Sequence, residues 1–129
     1  MKKVLVDSSI WISYFKDKHA YGSLDALIRD NQICSNNLVL AELIPFLHIR
    51  NQARVIESLL ALPIVPLTIN WELVINLQIE NLKKGMNKVG IPDLIMVDNV
   101  VSNGLVLFSE DKHFRLMQKQ FNFELLELH

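Results

Sequence analysis

Val4-Leu5-Val6 is an apolar, mostly β-branched run set flush between Lys2-Lys3 and Asp7-Ser8-Ser9. Nothing in it alternates to polar, so the strand it predicts is buried on both faces, as strands of parallel sheets are. Leu105-Val106-Leu107-Phe108 has the same character. Longer stretches with apolar residues at helical spacing lie between the two. Strands that alternate with helices in this way imply an α/β fold, a parallel sheet with helices on both faces.

The helical periods are readable one by one. Ser9 to Lys16 carries the stripe Ile10, Trp11, Tyr14 and Phe15, and a second short helix carries Leu24, Leu27 and Ile28. Ile33-Cys34 is a short strand. Asn36 or Asn37 caps a helix holding Leu38, Ala41, Glu42 and Leu43, which Pro45 is expected to kink or shorten. Gln52 to Leu62 is amphipathic and stops at Pro63. Ile64-Val65-Pro66-Leu67 reads as a strand, and Pro66 puts it at an edge. Trp71 to Lys84 is a long helix. Gly85 to Gly90 is a loop, Pro92 starts a helix running to Asn103, and Gly104 ends it where a left-handed residue is needed. Ser109 to Gln118 gives a turn and a short helix, and Phe123 to Leu128 a closing strand.

Composition narrows the class. The 129 residues are one domain's worth, spanning 1–129, and 50% hydrophobic against 21% charged residues supports a core rather than disorder. Thirteen Lys and Arg against fourteen Asp and Glu leave a net charge of -1, so any nucleic acid must be met through a local patch. The single cysteine, Cys34, cannot form an internal disulfide and reads as a packed residue of a reducing compartment. Lys2-Lys3 before an apolar run resembles the start of a signal peptide, but Asp7 ends that run at once. No stretch nears the roughly 18 apolar residues of a membrane span, so a soluble, cytoplasmic protein is expected.

In doubly wound sheets, ligands bind beyond the carboxyl ends of the strands. Asp7 follows the first strand directly, Asp111 follows Leu105–Phe108 by a short turn, Asp93 opens a helix, and Glu42 sits between apolar neighbours. Each has a bland reading taken alone. Asp7 suits a turn or cap, Asp93 suits the positive end of a helix, and Glu42 and Asp111 suit solvated positions. Together they describe four carboxylates at one sheet edge. Such a cluster is self-repelling and is kept mainly to hold a hard divalent cation, Mg2+ or Mn2+. Such an ion activates water and offsets charge on a phosphodiester. No His/Cys spacing suggests zinc.

Asp7-Ser8-Ser9 after an apolar strand, Val39-Leu40-Ala41-Glu42-Leu43, Ile91-Pro92-Asp93-Leu94-Ile95 and Leu107-Phe108-Ser109-Glu110-Asp111-Lys112-His113-Phe114 together resemble the PIN-domain ribonucleases. Within so short a chain they are most similar to the VapC-type toxins of toxin–antitoxin pairs. The ordered set of four covers essentially the whole chain. The resemblance implies a sheet of about five parallel strands in the order 3-2-1-4-5 and metal-dependent endonucleolytic cleavage of RNA. It also implies a metal site lined by Asp7, Glu42, Asp93 and Asp111, with Ser9 as a supporting hydroxyl. Asp7, Asp93 and Asp111 would hold the ion, and Glu42 would orient a water or a second ion. A cognate antitoxin and a homodimer follow as expected partners. Asp98 competes with Asp93 as a ligand, and Glu110 competes with Asp111. Asp93 and Asp98 are separated by about 140° around the helix axis at about 100° per residue, which favours Asp93.

Lys112 and Arg115 flank Asp111 and are the better candidates for phosphate contact. Lys83, Lys84 and Lys88 read as solvated charges and Lys16 and Lys18 as cations suited to a helix end; His113 could act as an acid near neutral pH but reads rather as a packed or surface residue. The Trp11, Tyr14, Phe15 stripe reads as core, although the resemblance implies that these early helices could serve dimerisation or antitoxin docking. Two rivals remain. A phosphotransfer or haloacid-dehalogenase-like domain needs a second acid near Asp7, where Ser8 and Ser9 stand. A non-enzymatic PIN-fold module that binds a protein or RNA would not need all four acids.

Overall fold

The computed structural model describes residues 2–127. Strand β1 (Val4–Val6) leads into α1 (Ser8–Lys16), a 3-10 turn (Lys18–Tyr21) and α2 (Gly22–Arg29). Strand β2 (Ile33–Cys34) is followed by α3 (Asn37–Ile49), α4 (Ala53–Leu60), α5 (Trp71–Lys83) and α6 (Ile91–Asn103). Then come β3 (Val106–Phe108), α7 (Lys112–Gln118) and β4 (Glu124–Leu126). All strand pairs are parallel, in the order β2-β1-β3-β4. Val4, Leu5 and Val6 are all buried, so both faces of the central strand are covered, as the unbroken apolar run requires.

The anticipated third strand is the main difference. Of Ile64–Leu67 only Ile64 pairs, as a single parallel bridge to Ser35 at the outer side of β2. The Ser35 amide donates to the Pro63 carbonyl (2.9 Å) and the Val65 amide donates to the Ser35 carbonyl (2.8 Å). The ladder ends there for two reasons. Pro66 has no N–H to give, and the chain beyond Ser35 turns at once into α3. Among the described residues the sheet therefore has four strands instead of five, and the bridge keeps the anticipated neighbour order.

Asn36 is the cap of α3, its Oδ1 accepting from the Val39 amide (2.9 Å). The helix then passes through Pro45 to Ile49 without being shortened. The carbonyl that Pro45 leaves unbonded belongs to Ala41, which is exposed and meets water. Gly104 caps α6 at φ 60°, the left-handed conformation that glycine adopts without a Cβ penalty. Of the closing strand, Leu128 lies outside the described residues. Cys34 is buried in the core, and burial pushes its thiol up to about 11, so it is inert packing. Among the described residues, no helix is long and apolar enough to cross a membrane.

Candidate metal centre

The sheet order changes direction at β1 and β3, and the crevice between their carboxyl ends is where such folds bind ligands. Val6 pairs with Phe108, so the residues that follow each strand meet at this edge. The Asp7 amide donates to the Phe108 carbonyl (3.0 Å), and the Ser109 hydroxyl donates to Asp7 Oδ2 (2.9 Å). Ser9 donates to the same oxygen from the other side (3.0 Å).

These contacts decide against the bland reading of Asp7. It stands at the cap position of α1, but its side chain makes no capping bond. The carboxylate is held by two hydroxyls and turned to the crevice edge. Asp111 does cap, accepting from the His113 amide (2.8 Å) at the start of α7. Its own amide donates to Ser109 Oγ (3.1 Å). Ser109, fully buried, thus ties Asp7 to Asp111 across the β1–β3 junction.

Asp93 lies in the first turn of α6, where a helix dipole stabilises an anion. Its carboxyl is nonetheless pushed up to about 6. Burial is the largest cause, followed by the negative charges of Asp111 and Asp7, with Glu42 adding and His113 opposing. Three other carboxylates therefore act on Asp93 at once, a field that a dipole-complementing residue would not meet. Glu42 is also raised, by desolvation and then by Asp7, while the Ser8 hydroxyl (3.5 Å) opposes the shift. The four acids anticipated from the sequence are thus brought to one crevice by four separate elements.

Of the two competing acids, Asp98 is engaged elsewhere. Asp98 is buried in α6, and its oxygens accept from the Asn70 amide (3.1 Å) and the Ser102 hydroxyl (3.0 Å). It fastens α6 to the residue before α5. Glu110 is exposed beside Asp111.

Two further residues of the fourth motif, Ser109 and His113, meet the acids in the fold. Ser109 was visible as the first polar residue after a buried strand, two before Asp111, yet only strand pairing aims it at Asp7. His113, next after Lys112, gives no local signal of where its ring points. Its Nδ1 lies 3.4 Å from Asp111 Oδ1 and 3.9 Å from Asp93 Oδ2. Asp93, Asp111 and His113 each offer a ligand atom, all within 4.8 Å of one another. An octahedral ion with bonds of about 2.1 Å sets adjacent ligands about 3 Å apart and opposed ones about 4.2 Å apart. The donor set fits a small divalent cation with little rearrangement.

Ser109→Ala removes a donor from Asp7 and an acceptor from the Asp111 amide. We expect about 1–2 kcal/mol of lost stability and a divalent-ion affinity lower by on the order of tenfold. Thermal melting and calorimetric Mn2+ titration measure the two effects separately. An unchanged affinity would leave Ser109 a packing residue only.

Among the basic residues, Lys112 is exposed and shares a groove with Lys88 and His113. Arg115 donates from Nε to Glu127 Oε1 (3.0 Å). Trp11 is packed, stacking on Phe15 at 5.8 Å between ring centroids. It also lines an apolar groove of about 200 Å³ with Tyr14, Ile28, Val55, Leu59 and Leu62.

The sequence matches the family model of the PIN domain over residues 4–120. No curated protein matches it significantly. Among solved structures it is similar to VapBC2 from Rickettsia felis bound to a DNA fragment from its promoter (23% identity, TM-score 0.75, 98% of each chain). It is also similar to DNA-bound VapBC from Salmonella typhimurium (20% identity, TM-score 0.76, 98% of each chain). A third similar structure is VapBC-1 from nontypeable Haemophilus influenzae (20% identity, TM-score 0.66, 96% of each chain). A parallel sheet whose first and third strands deliver acids to one crevice, and a family match over nearly the whole chain, give one conclusion: this chain belongs to the PIN-domain family.

Proposed function

We propose that this protein is a metal-dependent endoribonuclease and the toxin of a toxin–antitoxin pair. The carrying observation is the convergence of Asp7, Glu42, Asp93 and Asp111 on one crevice, where burial first and then the neighbouring carboxylates push the Asp93 carboxyl up to about 6. Asp7, Asp93 and Asp111 would hold the ion, and Glu42 would orient a water or a second ion. Ser9 and Ser109 fix the direction of the Asp7 carboxylate. Mg2+ or Mn2+, when bound, supplies charge neutralisation at the phosphodiester and a lower pKa for the attacking water.

Lys112, next to Asp111 in the chain and exposed, is the favoured phosphate contact, supported by Lys88, which lines the same groove. Arg115 shares its charge with Glu127 and contributes less. Since net charge is only -1, RNA binding rests on a few such contacts and falls with salt. Lys112→Ala is expected to raise KM several-fold and flatten the salt dependence by about one phosphate contact. Arg115→Ala should do less, and Arg50→Ala, whose guanidinium lies over the Phe46 ring, nothing. The test is cleavage of end-labelled RNA with Mg2+, with Mn2+ and with chelator. Cleavage that persists in chelator, or in Asp7→Asn, rejects the reading, and equal effects of all three basic substitutions reject the phosphate path.

Similarity to VapBC complexes supports an antitoxin as partner. The groove around Trp11 suits an apolar segment of that antitoxin. Trp11 Nε1 is buried there with no acceptor among the described residues. On α5, Trp71, Ile75, Ile79 and Leu82 form an exposed apolar stripe that Ile91 continues, and it suits a homodimer face.

A further inference from the structure

We propose that His113 is a nitrogen ligand of the divalent ion, and that it turns this centre from Mg2+ towards a first-row transition ion such as Mn2+. The inference rests on the reading that Asp93 and Asp111 hold a metal. Its own basis is the position of the imidazole. Nδ1 lies 3.4 Å from Asp111 Oδ1 and 3.9 Å from Asp93 Oδ2, and the three residues offer ligand atoms within 4.8 Å of one another.

The first turn of α7 brings His113 there. Asp111 caps the helix by accepting the His113 amide, which fixes the backbone of His113 against the very acid it would share an ion with. Its side chain is 23% exposed, against 30% for Asp93 and 36% for Asp111. All three are thus enclosed on the protein side and open on one side, as an ion that keeps waters or a phosphate among its ligands requires. An imidazole that binds through Nδ1 carries its proton on Nε2, and Nδ1 then offers a lone pair to the ion.

The chemical consequence follows from donor type. Mg2+ prefers oxygen ligands, whereas imidazole nitrogen favours transition ions, and affinity within that series rises from Mn2+ onward. A set of carboxylates with one imidazole therefore still accepts Mg2+ through its oxygens but gains an additional bond with Mn2+. The crevice that Asp7 and Ser109 shape would then discriminate between ions that an all-carboxylate centre treats more alike.

The experiment is metal binding to the whole chain, read without RNA. Calorimetric titration compares Mn2+ with Mg2+ for the wild type, His113→Ala and His113→Asn, with circular dichroism reporting the fold. Pulsed electron paramagnetic resonance of the Mn2+ complex reports a coordinated nitrogen directly. The wild type should show 14N modulation and bind Mn2+ more tightly than Mg2+. Both variants should lose the modulation and lower the Mn2+ affinity by on the order of tenfold, with Mg2+ affinity changed less than about threefold. A wild-type Mn2+ complex without 14N modulation, or a Mn2+ preference unchanged in both folded variants, overturns the role of His113 and leaves the carboxylate site standing. Failure of the wild type to bind either ion overturns the metal reading and this inference with it.

Discussion

Asp93→Asn is expected to keep the fold, lose RNA cleavage by at least about 10²-fold and lose the stabilisation that Mg2+ or Mn2+ gives the wild type. The substitution preserves size and removes one of the charges that meet in the crevice. Its effect on the metal-free protein has the opposite sign and is just as diagnostic. The Asp93 carboxyl is pushed up to about 6, first by burial and then by Asp111 and Asp7, from an ordinary value of about 4 in the unfolded chain. Over that interval the folded protein keeps a proton that the unfolded chain has released. Stability of the metal-free protein therefore falls as pH rises from about 4 to about 6, by about 1–2 kcal/mol once solvent screening of the partly open carboxyl is allowed for. Asp93→Asn removes that decline and is more stable than the wild type above pH 6 without metal. Divalent ions compete with the same proton, so their stabilising effect on the wild type grows as pH rises through about 6. Thermal melts at several pH values, with metal and with chelator, check all three. A wild type whose metal-free stability is flat between pH 4 and 6, or a variant still stabilised by metal, contradicts the role given to Asp93.

Asp98→Asn should separate stability from activity in the reverse way. The wild-type carboxylate accepts both the Asn70 amide and the Ser102 hydroxyl while almost wholly buried. An amide offers one acceptor oxygen for these two donors and brings an NH2 of its own. The expected cost is about 2–3 kcal/mol, which lowers the melting temperature by roughly 8–12 °C for a domain of this size. Cleavage per folded molecule should stay within about threefold of wild type. Chemical denaturation, with turnover assayed well below the melting transition, measures both. A well-folded but inactive Asp98→Asn would transfer the ligand role from Asp93 to Asp98, against the hydrogen bonds that hold it.

The contrast between these two acids, on one helix and five residues apart, shows what was legible in the chain. Turn chemistry and periodicity are local, so the buried runs at Val4–Val6 and Val106–Phe108, the cap at Asn36 and the stop at Gly104 were readable from neighbours alone. Parallel strands point their carboxyl ends to one edge, so Asp7 and Asp111, each just past a buried run, are edge residues on topology alone. Asp93 and Asp98 could be told apart only in direction, by helix rotation. Why Asp98 is there depended on Asn70, 28 residues away, and on how α5 packs against α6.

The same division holds across the molecule. The α/β class, the helical stretches and the positions of Asp7 and Asp111 just past buried runs are written in local sequence. Pro66 marked Ile64–Leu67 as a weak edge in the sequence, but its reduction to a single bridge follows from where the chain turns into α3 just beyond Ser35. Tertiary structure alone decided that Ser109 bonds to Asp7 across 102 residues and that His113 turns toward Asp93. The physical reason is common to these cases. Backbone preference and hydrophobic period act over a few residues and leave their mark in the local sequence. A buried polar group must be satisfied by whatever partner the folded chain brings within about 3 Å, and that partner is set by strand register and helix packing.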